Sequence, residues 1–196
     1  MKHLVLASGL TGSGKSWASK YMKGELGFYR ICLEEIRDIL YGTGYIADPL
    51  KKGAANGLAT DQGLWEAEMA LRKGENVVID SGATKDERRR ELLDYFDSDD
   101  VRRCILIFEA NPETRIKRVI GRPGQYGRRM TPDEVREHVY NDMLNWKEPD
   151  MPGIEIVRYI RETPEDDESI MSDLRRRFQS NPSNPPPYLS HPSQYN

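Results

Sequence analysis

The sequence has few of the residues that would support a disulfide framework, a zinc site or a membrane span. It contains two cysteines and three histidines in 196 residues. Cys32 and Cys104 lie far apart, each in a strand-like run, and no histidine has metal-ligand spacing with either. No apolar run approaches the ~18 residues of a transmembrane helix, and no signal-peptide pattern precedes the first strand. We therefore expect buried free thiols in a soluble, cytoplasmic protein with no membrane partner.

An excess of charge of one sign is also missing. Lysine and arginine number 29 and aspartate and glutamate 32, which gives a formal net charge of −3. This balance excludes a protein that coats long stretches of nucleic acid through overall positive charge, so any anion binding must depend on local patches. The length is that of one domain with a full hydrophobic core.

Short apolar runs alternate with helix-length amphipathic segments along most of the chain. This alternation predicts an α/β fold in which helices cover both faces of a parallel sheet. We expect one domain over residues 1–179, followed by a flexible proline-rich tail over residues 180–196, which has too little apolar content to offset the entropy of ordering. The five predicted strands are residues 2–7, 28–32, 76–80, 101–109 and 154–160.

The chain is organised around the segment Gly-Leu-Thr-Gly-Ser-Gly-Lys-Ser at residues 9–16. It follows the first apolar run and leads into a helical segment, which is the context of a phosphate-binding P-loop. In such a loop Lys15 reaches the β- and γ-phosphates of ATP, and the Ser16 hydroxyl is a ligand of Mg²⁺. The residues predicted to bind the nucleotide here are Gly9, Thr11, Gly12, Ser13, Gly14, Lys15 and Ser16.

Acidic residues follow two of the predicted strands. Glu34 comes directly after the second strand and is a candidate general base, with Arg37 one helical turn later to orient it or to hold a substrate phosphate. The alternative is that Glu34 and Glu35 are solvated acids at a helix start. Asp80 ends the third strand as a Walker B carboxylate would, and it could hold Mg²⁺ or act as the base instead of Glu34.

Residues 115–129 carry six basic residues and no acid, together with glycines and a proline. We interpret this stretch as a mobile basic lid. Arg118 and Arg122 are four residues apart, so on a helix they share one face and could both contact the triphosphate when the lid closes. The alternative is a solvated basic loop. The arginine runs at 88–90 and 175–177 are interpreted as solvated helix faces.

Two further segments have weaker signals. Residues 42–57 are rich in glycine and alanine and show neither helical nor strand periodicity, so we expect a loop on the substrate side. In the tail, the motif Pro-Pro-Pro-Tyr at residues 185–188 has the form of a ligand for a WW-type module, although such patterns are common in proline-rich tails.

These residues resemble the kinase domain of phage-type polynucleotide 5′-kinase, within the P-loop kinases that also include zeta toxins. The resemblance covers residues 2–147 and implies an adenylate-kinase-like P-loop NTPase fold, a three-layer sandwich with a basic lid. It also implies that Glu34 is the base, that Arg37 supports it and the acceptor's phosphate, and that Arg118 and Arg122 clamp ATP. The motifs that carry it are residues 12–16, residues 27–29, Glu34 with Arg37, Asp80 followed by Glu87, Arg88 and Arg89, and the pair Arg118 and Arg122.

Three departures from the family pattern bear on the acceptor. The base position holds Glu34 in place of aspartate, Cys32 and Leu33 replace an Asn-Arg pair, and the Asp-x-Asp-Gly-Thr motif of the fused phosphatase does not occur in these 196 residues. The leading hypothesis is an ATP-dependent kinase that phosphorylates a hydroxyl of a nucleic acid, such as the 5′-hydroxyl of DNA or RNA. We expect it to act in the cytoplasm, which is that of the host if the protein is phage-encoded. The alternatives are a kinase of hydroxymethyl groups on modified phage DNA bases, a small-molecule or nucleotide-sugar kinase, and a nucleotide-switched binding ATPase.

Overall fold

The computed structural model describes residues 1–42, 49–121 and 130–179. The described residues include a five-stranded sheet in which every neighbouring pair is parallel. Each predicted strand is confirmed, with ends shifted by a residue or two. The strands are β1 (Lys2–Gly9), β2 (Tyr29–Cys32), β3 (Val77–Asp80), β4 (Val101–Glu109) and β5 (Glu155–Ile160), and their order across the sheet is β2-β3-β1-β4-β5.

The register brings the carboxyl ends of the central strands to one edge of the sheet. Ala7 pairs with Asp80 of β3, and Gly9 pairs with Phe108 of β4. Cys32, the last residue of β2, also pairs with Asp80. The segments that follow β1, β2 and β3 therefore begin side by side, and they contain the residues for which chemistry was predicted.

The helices connect these strands and flank the sheet. None of the helices in the described ranges combines the length and the apolarity needed to cross a bilayer. They are α1 (Lys15–Leu26), α2 (Leu33–Tyr41), α3 (Pro49–Arg72), α4 (Asp86–Leu93), α5 (Pro112–Ile120), α6 (Pro132–Leu144) and α7 (Asp166–Phe178), with a short 3₁₀ helix at Asp94–Phe96.

Alternate residues of β1 pack on opposite faces of the sheet, as the period of a strand requires. Leu4 and Leu6 belong to a buried cluster that also contains apolar residues of α3 and α4. Val5 and Ala7 belong to a second cluster with residues of α1 and α7. Because both faces of the sheet are covered, residues 4–7 of β1 form a continuous apolar run, and the predicted three-layer sandwich is confirmed.

The expectation of a loop over residues 42–57 is wrong from Pro49 onward, where the long helix α3 begins. Glycines made the segment look irregular, since each weakens a helix. At Gly63, further along the helix, α3 approaches α2 so closely that a Cβ would lie 2.6 Å from Leu33 Cδ2, so a glycine is needed there for packing. Ala55 and Ala59 are buried on the same helix. Residues 43–48 lie outside the described part of the chain.

Thr84, Thr131 and Thr163 are each followed within three residues by an acid, a pattern that predicts a helix N-cap, and the structure has such a cap at one of them. At α6, Thr131 and Glu134 form the predicted capping box. The predicted cap at Thr84 is wrong, because α4 begins at Asp86 and receives no side-chain cap. Near Thr163, Asp166 Oδ2 accepts from the Thr163 backbone N–H at 2.9 Å, and the helix begins at Asp166.

The position of Arg89 also differs from the prediction. It was interpreted as part of a solvated arginine run, yet its side chain is fully buried. Its guanidinium donates to Asp86 at 2.7 Å and to the Lys147 carbonyl at 2.8 Å, and it lies over the Trp146 ring. Arg89 thus joins α4 to the segment after α6. Cys32 and Cys104 are free and buried, as expected, and burial raises the pKa of their thiols to about 11 and about 12.

Candidate active site

The loop between β1 and α1 is shaped by glycines that no other residue could replace without strain. Gly12 has a φ of 82°, and a Cβ there would lie 2.8 Å from the Arg115 carbonyl oxygen. Gly9 has a φ of 143°, and a Cβ there would lie 2.3 Å from the Phe108 carbonyl oxygen of the neighbouring strand. The backbone of the loop therefore packs directly against β4 and α5, which fixes its position at the strand edge.

The hydrogen bonds of Lys15 and Ser13 are those expected in an anion-binding loop. Lys15 Nζ donates to the Leu10 carbonyl at 3.1 Å, so the ammonium lies across the loop. The backbone N–H of Ser13 donates to the same carbonyl at 3.1 Å. Ser13 is buried, and its hydroxyl has no hydrogen-bond partner among the described residues. A phosphate oxygen in the loop would give that hydroxyl a partner.

Thr11 is held from outside the loop by α5 and α6. Its backbone N–H donates to Asp142 Oδ2 at 2.6 Å, and its carbonyl accepts from Arg115 Nε at 2.8 Å. Arg115 Nη2 and Asp142 Oδ2 are 3.5 Å apart. We call this arrangement of Thr11, Arg115 and Asp142 the P-loop brace. Since both backbone groups of Thr11 are engaged there, its predicted contact with nucleotide falls to the hydroxyl.

The predicted metal ligands Ser16 and Asp80 are connected through Ser19, on α1. Asp80 is buried, and its Oδ2 lies 2.9 Å from the Ser19 hydroxyl. Ser19 Oγ is also 3.2 Å from the Ser16 carbonyl oxygen. A hydroxyl and a carboxylate are hard oxygen donors, and Mg²⁺ in nucleotide sites takes one or two such protein ligands together with phosphates and water. The residues present therefore fit Mg²⁺.

The first turn of α2 lies beside this pair and carries the predicted base. Glu34 is half-buried, and Arg37 follows one turn later. Arg37 Nη1 donates to Asn56 Oδ1 of α3 at 2.7 Å, whereas its Nε is buried with no partner among the described residues. Glu35 contacts Arg30 of β2: both of its carboxylate oxygens accept from Arg30 Nη1. This hydrogen bond lowers the pKa of Glu35.

The basic stretch divides into two parts. Arg118, on α5, donates to the Gly12 carbonyl and to the Glu162 carbonyl, both at 3.2 Å, so it lies against the P-loop. Its contact with phosphate stays a prediction. Arg115 is buried in the P-loop brace, where desolvation lowers its pKa, and it is not a lid residue. Arg122 and the other residues of 122–129 lie outside the described part of the chain, and the lid remains a prediction.

Arg161 is a further residue at the P-loop that the sequence did not indicate. Its Cδ would lie 2.9 Å from a Cβ at Gly14, its guanidinium lies 4.4 Å from the Trp17 ring centroid, and its Nε donates to Asp167 at 2.5 Å. It follows the last residue of β5, the edge strand beyond β4, and reaches the loop from there. The only signal in the sequence is its position after a strand end.

The comparisons with known proteins agree with this geometry. A family model described as an AAA domain matches residues 4–149. No curated protein matches the sequence. A candidate kinase from Chloroflexus aurantiacus superposes with a TM-score of 0.66 at 16% identity, over 89% of this chain and 97% of that chain. A sugar kinase from Janibacter sp. HTCC2649 gives a TM-score of 0.62 at 16% identity, over 92% and 95%.

A third solved structure is the Pnkp1/Rnl/Hen1 RNA repair complex. A chain of that complex superposes with a TM-score of 0.52 at 21% identity, over 74% of this chain and 45% of that chain. At these identities the three structures show a shared fold, and they differ from one another in what they are named for.

Proposed function

This chain belongs to the AAA domain family, and from that premise we propose that it is an ATP-dependent kinase that phosphorylates a hydroxyl of a nucleic acid, with a polynucleotide 5′-hydroxyl as acceptor. The observation that carries the proposal is the meeting of three strand ends at one edge. That edge holds a P-loop with Lys15, a buried acid at Asp80, and the half-buried Glu34 at the start of α2.

Each of these residues has a defined task in phosphoryl transfer. Lys15 and Arg118 place positive charge beside the phosphate oxygens, where it counts most in the transition state. Ser16 and Asp80 would hold Mg²⁺, which would supply positive charge to the phosphates. Glu34 takes the proton of the acceptor hydroxyl, and the oxygen of that hydroxyl forms a bond to the γ-phosphorus. The bond from that phosphorus to the β-phosphate oxygen breaks, and ADP leaves.

Arg37 supports an acceptor that carries a phosphate. Its Nε is buried without a partner among the described residues, while Nη1 is fixed by Asn56. A guanidinium held at one nitrogen and available at another suits a phosphate oxygen. The Pnkp1-containing complex shares this fold, which agrees with a polynucleotide acceptor.

The family's polar pair is absent at Cys32 and Leu33, but this departure carries less weight than the sequence suggested. Both residues are buried, with 8% and 4% of their surface exposed. Leu33 packs on Gly63 of α3. Side chains buried there do not line an acceptor surface, so their apolar character does not argue against a 5′-hydroxyl.

The test is a transfer assay with γ-labelled ATP, Mg²⁺ and a panel of acceptors. The panel contains 5′-hydroxyl DNA and RNA oligonucleotides, the same oligonucleotides already 5′-phosphorylated, 5′-phosphorylated DNA with hydroxymethylated pyrimidines, and gluconate as a small polyol. We expect label on the 5′-hydroxyl oligonucleotides and none on their 5′-phosphorylated forms.

The negative control is Lys15→Ala, which should label every acceptor at least about 10²-fold more slowly than the wild type. Label on 5′-phosphorylated, hydroxymethylated DNA would move the acceptor to the base, and label on gluconate alone would show a small-molecule kinase. ATP hydrolysis without transfer to any acceptor would contradict the kinase proposal and favour a nucleotide-switched ATPase.

A further inference from the structure

The buried guanidinium of Arg30 lies between two carboxylates of the site, those of Asp80 and Glu35. Arg30, in β2, has a side chain that is 7% exposed. Its Nη2 donates to Asp80 Oδ2 at 3.0 Å, its Nε donates to Ser19 Oγ at 2.8 Å, and its Nη1 donates to both oxygens of Glu35 at 2.9 Å. We call Arg30 with Ser19, Glu35 and Asp80 the Arg30 network.

The three partners come from three elements. Ser19 is on α1, one turn after the P-loop, Asp80 ends β3, and Glu35 is in the first turn of α2. A buried arginine is tolerated only where its donors are satisfied, and all three nitrogens of this one are used. The guanidinium therefore fixes the relative positions of the P-loop helix, the Walker B strand and the helix that carries Glu34.

The network also assigns the two oxygens of Asp80. Oδ2 accepts from Arg30 and lies against Ser19, whereas no hydrogen bond from the described residues reaches Oδ1. Arg30 thus orients the carboxylate with one oxygen engaged by protein and the other available. One guanidinium shared by two carboxylates leaves a net charge of −1 beside the predicted Mg²⁺ site.

We propose that Arg30 is a positioning residue that holds the metal-side carboxylate of Asp80 and the base-bearing first turn of α2 in one arrangement. The inference deepens the proposed function and rests on it. Groups that orient metal ligands and bases from behind are sensitive to small displacements, and removing them costs about 10- to 100-fold in metal affinity or activity. Arg30 acts through Asp80 and Glu35, and it touches neither substrate in this assignment.

Two variants separate the parts of the network. Glu35→Gln removes the charge on the α2 side and keeps Arg30 on Asp80. Arg30→Lys keeps the positive charge, but an ammonium on a flexible stem cannot direct three separate nitrogens at three partners. The matched control is Arg72→Lys, an exposed arginine on α3 that pairs with Glu68 one turn away.

The experiment measures Mg²⁺-dependent ATP binding by calorimetry, then kcat and the KM for acceptor, and finally thermal unfolding as a check of folding. For Arg30→Lys we expect the Mg²⁺ concentration at half-maximal ATP binding to rise about 10-fold and kcat to fall by about 10- to 100-fold. For Glu35→Gln we expect the Mg²⁺ requirement to stay within about twofold and kcat to fall by about 10-fold. Arg72→Lys should match the wild type.

Unchanged Mg²⁺ dependence and unchanged kcat in Arg30→Lys, with only a lower melting temperature, would reduce Arg30 to a structural residue and overturn the inference. Equal effects of both variants on the Mg²⁺ requirement would overturn the assigned division between Asp80 and α2. Failure of the wild type to phosphorylate any acceptor would contradict the proposed function separately, because the calorimetric comparison of Arg30→Lys with wild type needs no acceptor.

Discussion

At the scale of single residues, Lys15 is the position where the P-loop assignment can be tested most directly. Its ammonium lies on the Leu10 carbonyl inside the loop. Lys15→Ala should reduce kcat by at least about 10²-fold, because a fixed charge in a site shielded from water is lost. Lys20→Ala is the matched control, since Lys20 is exposed on the same helix. Near-normal turnover by Lys15→Ala in a steady-state transfer assay would contradict the assignment.

The second prediction at this scale concerns the base. Glu34→Gln keeps the size of the side chain but cannot take a proton, so transfer should fall by about 10²- to 10⁴-fold while ATP affinity is retained. Single-turnover kinetics with labelled ATP, together with calorimetry, measure the two effects. Full transfer by this variant would move the role of base to Glu35 or Asp80.

Glu34→Asp then distinguishes acceptors, because a displacement of about 1 Å can cost about 10²-fold. For a 5′-hydroxyl acceptor, for which the polynucleotide kinases that the sequence resembles have aspartate at this position, the variant should keep substantial activity. Loss of most activity in the same assay would instead favour a hydroxyl placed differently, such as one on a base.

At the scale of elements, the P-loop brace is a set of contacts that can be removed without touching nucleotide. Asp142→Leu would leave the buried Arg115 charge and the Thr11 N–H without their carboxylate, and a broken buried pair costs about 3–5 kcal/mol. Urea unfolding should show this loss, and ATP affinity should fall as well. Asn141→Leu, on the exposed side of α6, is the control. Equal stability of the two variants would show that the brace contributes nothing.

A second element-scale prediction follows from α7 and β5. Burial alone would raise the pKa of Asp173, but hydrogen bonds from Arg177, Tyr159 and Arg176 lower it from 3.8 to about 2. A carboxyl whose pKa is lower in the folded protein stabilises it above its unfolded pKa, and this contribution is lost as the pH falls towards the folded value. The stabilisation should therefore be complete above about pH 5 and disappear between about pH 4 and pH 2.

The measurement is urea unfolding of wild type and Asp173→Asn across that range. The variant should be less stable by about 1–3 kcal/mol at pH 7, and the difference should shrink towards zero near pH 2. A difference that does not change with pH would mean that the charge of Asp173 is not the cause.

The elements also show how much could be predicted from sequence. The strands were predictable because both faces of the sheet are covered, so that β1 and β4 each contain an unbroken apolar run, at residues 4–7 and 104–108. The P-loop was predictable because its chemistry lies within eight consecutive residues. The first part of helix α3 was not predicted, because Gly53 and Gly57 interrupt the local helical pattern. The packing of α3 on α2 at Gly63 joins residues far apart in the chain, and no local pattern records it.

The parts of the site that were missed depend on long-range contacts. Asp142 reaches Thr11 from 131 residues away, and Arg30 reaches Asp80 from 50 residues away. A charged residue inside a short strand was the available signal for Arg30, because such a residue must be paired if it is buried. A basic run gave no means of separating Arg115, which is buried, from Arg118, which contacts the loop backbone.

At the scale of the whole molecule, the site lies at a junction of elements from both halves of the chain. A ligand that binds only the folded state stabilises it by RT ln(1 + [L]/Kd), which is about 2.7 kcal/mol at 100 times Kd. ATP with Mg²⁺ should therefore raise the melting temperature by about 5–10 °C. Scanning calorimetry would measure this shift, and it should be much smaller for Lys15→Ala. No shift at saturating ATP would contradict a nucleotide site.

The P-loop brace has one further consequence. The amide hydrogen of Thr11 is bonded to a carboxylate of α6, whereas the amide of Ser13 is bonded within the loop itself. The two amides therefore exchange with solvent deuterium through different opening motions. Exchange at Thr11 follows the separation of α6 from the loop, and α5 and α6 stand on either side of the basic residues 122–129 in the chain. The exchange rate of the Thr11 amide hydrogen thus reports how often α6 separates from the phosphate loop.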